Sequence, residues 1–169
     1  SGDTPPVWTE AYTDKNAGTG KTLLPAHLVV NDGNSGLNYS YIYAPVTTGV
    51  IAQTNLTVTA TANTKLYDGT TSAAAAPTLT AGIIQTGDTA PTWTETYDNR
   101  NVGSGKTLTP AGQVLDGNSG ANYSYTYTPV ITGVIAQTNL TVTAASNTKH
   151  YDGTTSAAAA PTLTAGIIQ

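Results

Sequence analysis

Apolar and polar residues alternate with a period of two along much of the chain. Tyr39, Tyr41 and Tyr43 are separated by Ser40 and Ile42, and Tyr123, Tyr125 and Tyr127 by Ser124 and Thr126. Successive side chains of a strand point to opposite faces, so these runs predict strands with one buried or ligand-facing side. LTVTA at Leu56–Ala60 and Leu140–Ala144 alternates too, as do Trp8–Tyr12 and Trp93–Tyr97. TGVIAQ, LTAGIIQ and KTLTP are shorter candidates. Breakers stand between them: Asp32-Gly33-Asn34, Asp116-Gly117-Asn118, Asp68-Gly69, Asp152-Gly153 and the glycine-rich stretches before Lys21 and Lys106. No window supports an amphipathic helix. The alanines of Ser72–Ala76 and Ser156–Ala160 favour helix. Pro77 and Pro161 end these runs too early to repay nucleation. They read as a thin edge strand or a single turn, and the whole pattern predicts an all-β protein.

The pattern repeats. Ser1–Pro25 returns as Thr86–Pro110 at a shift of 85, which becomes 84 after a one-residue deletion near Asn31. Gly49–Ala60 is identical to Gly133–Ala144, and Tyr67–Gln85 to Tyr151–Gln169. The expectation is a tandem array of small β-sandwich-like or mixed-sheet domains of about 84 residues, each marginal alone and helped by its neighbours. A cut at Gln85/Thr86 gives two whole copies but splits what reads as a hairpin, LTAGIIQ and PTWTETY joined by TGD. The other frame starts at the LTVTA strand. Residues 56–139 are then a complete repeat, 1–55 the C-terminal part of one and 140–169 the N-terminal part of the next. The expected partners are neighbouring repeats of the same chain. Open edge strands recruit strands, so head-to-tail strand complementation between 140–169 of one chain and 1–55 of another is expected as well.

Composition narrows the function. Net charge is −4 and only 9% of residues are charged, against roughly 25% in ordinary soluble domains. With 38% hydrophobic residues the chain is not the charge-rich, apolar-poor kind that stays disordered. Acidity without a basic stripe argues against nucleic acid. The lack of an apolar run of about 18 residues argues against direct membrane insertion. Zero cysteines excludes disulfides and thiolate sites. The first residues do not read as a signal peptide, so any targeting segment is expected outside this sequence.

The candidate chemistry is thin. A phosphate loop needs a glycine five positions before the one preceding its lysine, and Lys15 and Arg100 hold those places, so the stretches before Lys21 and Lys106 read as glycine-rich turns. The loops Asp32–Tyr39 and Asp116–Tyr123 offer one carboxylate each, which suits an Asx-type turn better than calcium. His27 and His150 do not recur between copies, and the acid pairs Glu10/Asp14 and Glu95/Asp98 differ in spacing. No enzyme activity, cofactor or metal is expected. Two weaker possibilities concern recurring residues. Lys21 with Asn38 and Glu10, and Lys106 with Asn122 and Glu95, have the residue types of an intramolecular Lys–Asn crosslink assisted by a carboxylate. The plainer reading is a lysine lying along its strand on its aliphatic stem. Tyr39, Tyr41, Tyr43, Tyr123, Tyr125 and Tyr127 could stack against a sugar. In a chain with no Phe or Met they serve more simply as core. Asn38, Asn55, Asn122 and Asn139 stand in Asn-x-Ser/Thr sequons, which arise easily in a threonine-rich sequence.

Lys65–Thr71 (KLYDGTT) and Lys149–Thr155 (KHYDGTT) resemble the signature of YDG-type repeat domains, related to MBG repeats. The likeness continues through Gly87-Asp88, Asn101–Thr107, Gly120, Asn122-Tyr123 and Leu140–Val142. Such modules occur in tandem in large bacterial surface adhesins and filamentous-haemagglutinin-like proteins. The resemblance implies an extracellular, non-catalytic β module that extends a stalk on the bacterial cell surface, with repeats drawn from the LTV strand. The alternative is a carbohydrate- or matrix-binding module that uses the tyrosine faces.

Overall fold

The computed structural model describes residues 2–169, and among them every regular element is a strand. Twelve occur: β1 (Glu10–Tyr12), β2 (Gly18–Pro25), β3 (Val46–Ile51), β4 (Thr54–Thr59), β5 (Thr64–Leu66), β6 (Thr78–Ala81), β7 (Thr94–Tyr97), β8 (Gly103–Ala111), β9 (Tyr123–Thr128), β10 (Val130–Ala136), β11 (Thr141–Thr143) and β12 (Thr162–Ala165). The protein is all-β, with antiparallel and mixed sheets. Its contacts divide into two units, one of residues 1–57, 80–91 and 113–126, the other of residues 58–79, 92–112 and 127–169. Strands β6, β4 and β9 form a sheet in that order.

The first unit holds the antiparallel sheet β1-β2-β3 and both Asp-Gly-Asn loops. Each loop forms around its aspartate. Asp116 Oδ1 accepts the amides of Asn118 and Gly120 at 2.7 and 2.8 Å, and Oδ2 that of Asn122 at 2.9 Å. Asp32 takes Asn34, Gly36 and Asn38 in the same way at 2.8, 2.8 and 3.1 Å. Burial works against ionising Asp116, but three backbone donors outweigh it and its pKa is lowered. These are the Asx-type turns the sequence implies.

The second unit carries the sheet β5-β10-β8-β7, in which β5 runs parallel to β10 and the other pairs are antiparallel. Ala60, Tyr97, Leu108 and Ile135 form its core. Lys106, Leu108 and Pro110 alternate with more exposed residues along β8, which is the period-two rule at work. Gly133 sits where the Tyr97 ring crosses the sheet, since a Cβ there would lie 2.9 Å from Tyr97 Cε1 and 2.9 Å from Lys106 O. Strands β11 and β12 pair only with each other.

Three expectations are corrected. The glycine-rich stretches before Lys21 and Lys106 are not turns but the first halves of β2 and β8. Gly20 and Gly105 absorb left-handed φ angles of 68° and 65° there, beside register shifts in the pairing with β3 and β10. LTAGIIQ and PTWTETY form no hairpin. Although Asp88 N donates to Gln85 O at 3.1 Å in a turn, β6 pairs with β4 and β7 with β8. The run Tyr39–Tyr43, expected as a strand, forms none, whereas its counterpart lies in β9. Val30 and Val114 nevertheless give their amides to the Tyr41 and Tyr125 hydroxyls at 2.9 Å each.

Candidate functional site: the repeat joint and the YDG turn

The YDG segment closes on itself. Lys65, at the middle of β5, extends its ammonium to Asp68 Oδ1 at 2.8 Å and to Thr70 O and Oγ1 at 2.9 and 3.0 Å. Asp68 Oδ1 also receives Thr70 N and Oγ1, both at 2.9 Å. Gly69 takes φ +76°, a conformation L side chains rarely adopt. The Lys65 hydrogen bond, with those from Thr70, holds the Asp68 carboxyl down to about 2. Lys149, Asp152 and Thr154 reproduce the arrangement, with the ammonium 2.8 Å from Asp152 Oδ1 and 2.8 Å from Thr154 O. All three groups are saturated by one another, so the motif is turn chemistry.

In the first unit the residues just before β2 bond those just before β9. Ala17 N donates to Asn122 Oδ1 at 2.8 Å, and Asn122 Nδ2 reaches Asn16 Oδ1 at 3.2 Å. Gln53 Nε2 donates to Ala121 O at 2.9 Å, and Lys15 lies 3.4 Å from Asp88. Asp88 in turn accepts the Tyr123 hydroxyl at 2.6 Å, and that hydroxyl accepts Gln85 N at 2.9 Å. Burial and the bond to Asp88 push the Tyr123 pKa up. In the second unit Thr138 Oγ1 donates to Tyr67 O at 2.9 Å, and Leu140, Ile167 and Ile168 line a hollow beside Tyr67. An added Cβ on Gly69 would stand 3.1 Å from Gln169.

The hydroxyls of the six tyrosines are all engaged within the chain. Tyr125 OH donates to Gly120 O at 3.2 Å, and Tyr127 OH donates to Gly112 O. Tyr39 OH donates to Asp3 at 2.6 Å and Tyr43 OH to Leu28 O at 3.0 Å. The rings of Tyr41 and Tyr43 stack 5.9 Å apart, with His27 4.5 Å beyond. The Asp3 bond raises the Tyr39 pKa.

The crosslink triads are not brought together. Lys106 Nζ donates to Asn99 Oδ1 at 2.6 Å with Asp98 at 3.3 Å, while Asn122 is engaged with Asn16 and Ala17. Glu95 is buried, its Oε2 accepting Thr61 N at 2.8 Å and its Oε1 without a partner. Lys21 bonds Asp14 at 2.5 Å, whereas Asn38 Oδ1 accepts Asn34 Nδ2 at 3.1 Å and Glu10 is exposed on β1. Sequence reasoning missed Asp14 and Asn99 as the lysine partners. Their constant spacing of seven residues from Lys21 and Lys106 was the available signal. It missed Asn122 and Gln53 as well, because a joint made of amides has no signature of its own. Among the described residues no cluster of three His, Cys, Asp or Glu could hold a metal ion.

Against known proteins, the family model of the YDG domain matches residues 52–130, a span that opens just before β4 and closes at the start of β10. Neither the curated proteins nor the solved structures gave a match.

Proposed function

We propose that this chain is a non-catalytic stalk or spacer segment of a bacterial cell-surface or secreted adhesin, built from tandem YDG-like repeats. Their boundaries follow the LTVTA strands at residues 56 and 140. The observation that carries this reading is the joint. Side chains of one repeat, Asn16, Gln53 and Lys15, are spent on the next, Asn122, Ala121 and Asp88. Residues that recur in both copies are used for turns and junctions, which is the economy of a spacer that must stack on itself. The alternative, a carbohydrate- or matrix-binding module, is weaker because the tyrosine hydroxyls are already bonded within the chain.

A labelled preparation of the full chain on glycan and matrix-protein arrays separates the two. The stalk reading expects no saturable binding. Saturable binding at micromolar concentration, lost in Tyr41→Ala and Tyr43→Ala, would replace it with the binding-module reading.

A further inference from the structure

The last rung before the turn of the β7–β8 hairpin brings together an amine, an amide and a proton acceptor. Tyr97 stands opposite Leu108, and the bond from Asp98 N to Thr107 O at 2.9 Å carries that register one step further. Asn99 therefore faces Lys106 across the ladder. The Lys106 side chain is 7% exposed, and its Nζ donates to Asn99 Oδ1 at 2.6 Å. A carbonyl bond is about 1.2 Å long, so Cγ of Asn99 lies no further than about 3.8 Å from Nζ, close to a near-attack separation. Asn99, not Asn122, is the amide within reach of this lysine.

Two further groups converge there. The Asn101 backbone N–H donates to Asn99 Oδ1 at 3.0 Å, where it would stabilise negative charge developing on that oxygen. Asp98 Oδ1 lies 3.3 Å from Lys106 Nζ and is oriented by the Asn99 backbone amide at 2.9 Å. The head of the chain supplies the contrast. There Lys21 bonds Asp14 at 2.5 Å and Asn16 N donates to Asp14 Oδ1 at 2.9 Å, so the rung recurs with a carboxylate in place of the amide. Thr13 stands where Asp98 does, which leaves that rung without a second acid. It is an ion pair, and the hydrogen bond from Lys21 holds the Asp14 carboxyl low. An ionised carboxylate resists an amine, whereas a carboxamide flanked by an oxyanion donor and a proton acceptor has the parts of an acyl transfer.

We propose that Lys106 and Asn99 join in an intramolecular isopeptide bond. Asp98 takes a proton from the Lys106 ammonium. The neutral Nζ turns its lone pair from Oδ1 to Cγ and attacks, and the Asn101 N–H holds the oxyanion. A proton passes from Nζ to Nδ2, the Cγ–Nδ2 bond breaks, and ammonia leaves, taking up the proton stored on Asp98. The products are one secondary amide and one ammonium ion. Asp98 ends as the carboxylate it began as, and no other reactant is consumed. The bond staples the hairpin beside its turn, and the inference is independent of the adhesin reading.

Intact mass of the full chain tests it, with a loss of one ammonia, about 17 Da, expected against the mass of the sequence. Trypsin then locates the bond. It cuts after Arg100, yet peptides 66–100 and 101–149 should stay joined, and cleavage after Lys106 should be lost. Lys106→Arg keeps the positive charge but should restore the full mass. Lys21→Arg should leave the linkage complete. Asp98→Asn should raise the unlinked fraction at least about tenfold. A wild-type chain at full mass overturns the proposal. So does a loss of ammonia that leaves Lys106 open to trypsin or persists in Lys106→Arg, because a succinimide at another asparagine sheds the same mass. Complete linkage in Asp98→Asn overturns the step assigned to that carboxylate.

Discussion

Tyr123 and Tyr39 stand at equivalent places in near-identical sequence, and each donates its hydroxyl to the equivalent aspartate at 2.6 Å. Yet Tyr123 is 2% exposed and Tyr39 47%. The difference lies in the strand beside them. In the central repeat β4 supplies Leu56 and Val58 to the core, and β9 forms along it. Among the described residues no strand lies along Tyr39–Tyr43, and the tyrosine run keeps its local bonds without becoming a strand. The comparison teaches that the Tyr-x-Tyr-x-Tyr pattern is permissive: it makes a strand only when a neighbour satisfies its backbone.

The sharpest way to break the comparison is to remove the buried side of β4. Leu56→Ala should cost about 2–5 kcal/mol, the range for emptying a fully buried leucine site, whereas Leu140→Ala in the tail should stay within about 0.5 kcal/mol. Urea unfolding of both variants, with unchanged slope, would show it. A similar loss in both would mean that the tail is already buried in solution.

The carboxylates give the next contrast. Glu95→Ala leaves the Thr61 amide without its charged acceptor and should cost about 1.5–3 kcal/mol. Glu10→Ala, on an exposed strand, should change stability by less than about 0.5 kcal/mol. Thermal melts of the two variants, read against wild type, check the pair.

Where head and centre are built alike, they should respond alike. A Cβ at Gly49 would lie 2.7 Å from Tyr12 Cε1, as one at Gly133 would lie 2.9 Å from that of Tyr97. Gly49→Ala and Gly133→Ala should each lose about 1–3 kcal/mol through overpacking. Hydrogen exchange can localise the loss to β3 in one and β10 in the other. A neutral Gly49→Ala would show that the head sheet yields where the central one does not.

The smallest effect concerns the YDG turns. The Asp68 carboxyl is held to about 2 by Lys65, and Asp152 is lowered by Lys149. A carboxyl whose pKa lies lower in the folded than in the unfolded chain stabilises the fold above the unfolded value, near pH 4. That contribution fades as pH falls from there towards 2. Carboxyl-carbon NMR titration should give a midpoint near 2 for Asp68, and Lys65→Met should return it to the ordinary range. An unchanged midpoint would remove the lysine from the explanation.

Much of this was legible along the chain. Alternation marked β4, β7, β9 and β11, the repeat set their correspondence, and the aspartates announced their turns. The YDG turn forms with the same bonds at Lys65–Thr70 and Lys149–Thr154, although the surroundings differ, because every partner lies within five residues. The Asp32 and Asp116 loops agree for the same reason, their bonds reaching at most six residues. Local hydrogen bonds cost little chain entropy, so sequence alone fixes them. Tertiary structure decided the rest. The pairing of Thr54 with Asn122 joins distant parts of the chain, and so does the use of Asn122 by Asn16 and Ala17. The same holds for the burial of Glu95 under Thr61 and the assignment of LTAGIIQ and PTWTETY to different sheets. Such contacts depend on which strand is available to cover an edge. Identical residues with and without that strand, Tyr123 and Tyr39 or Leu56 and Leu140, therefore end in different environments.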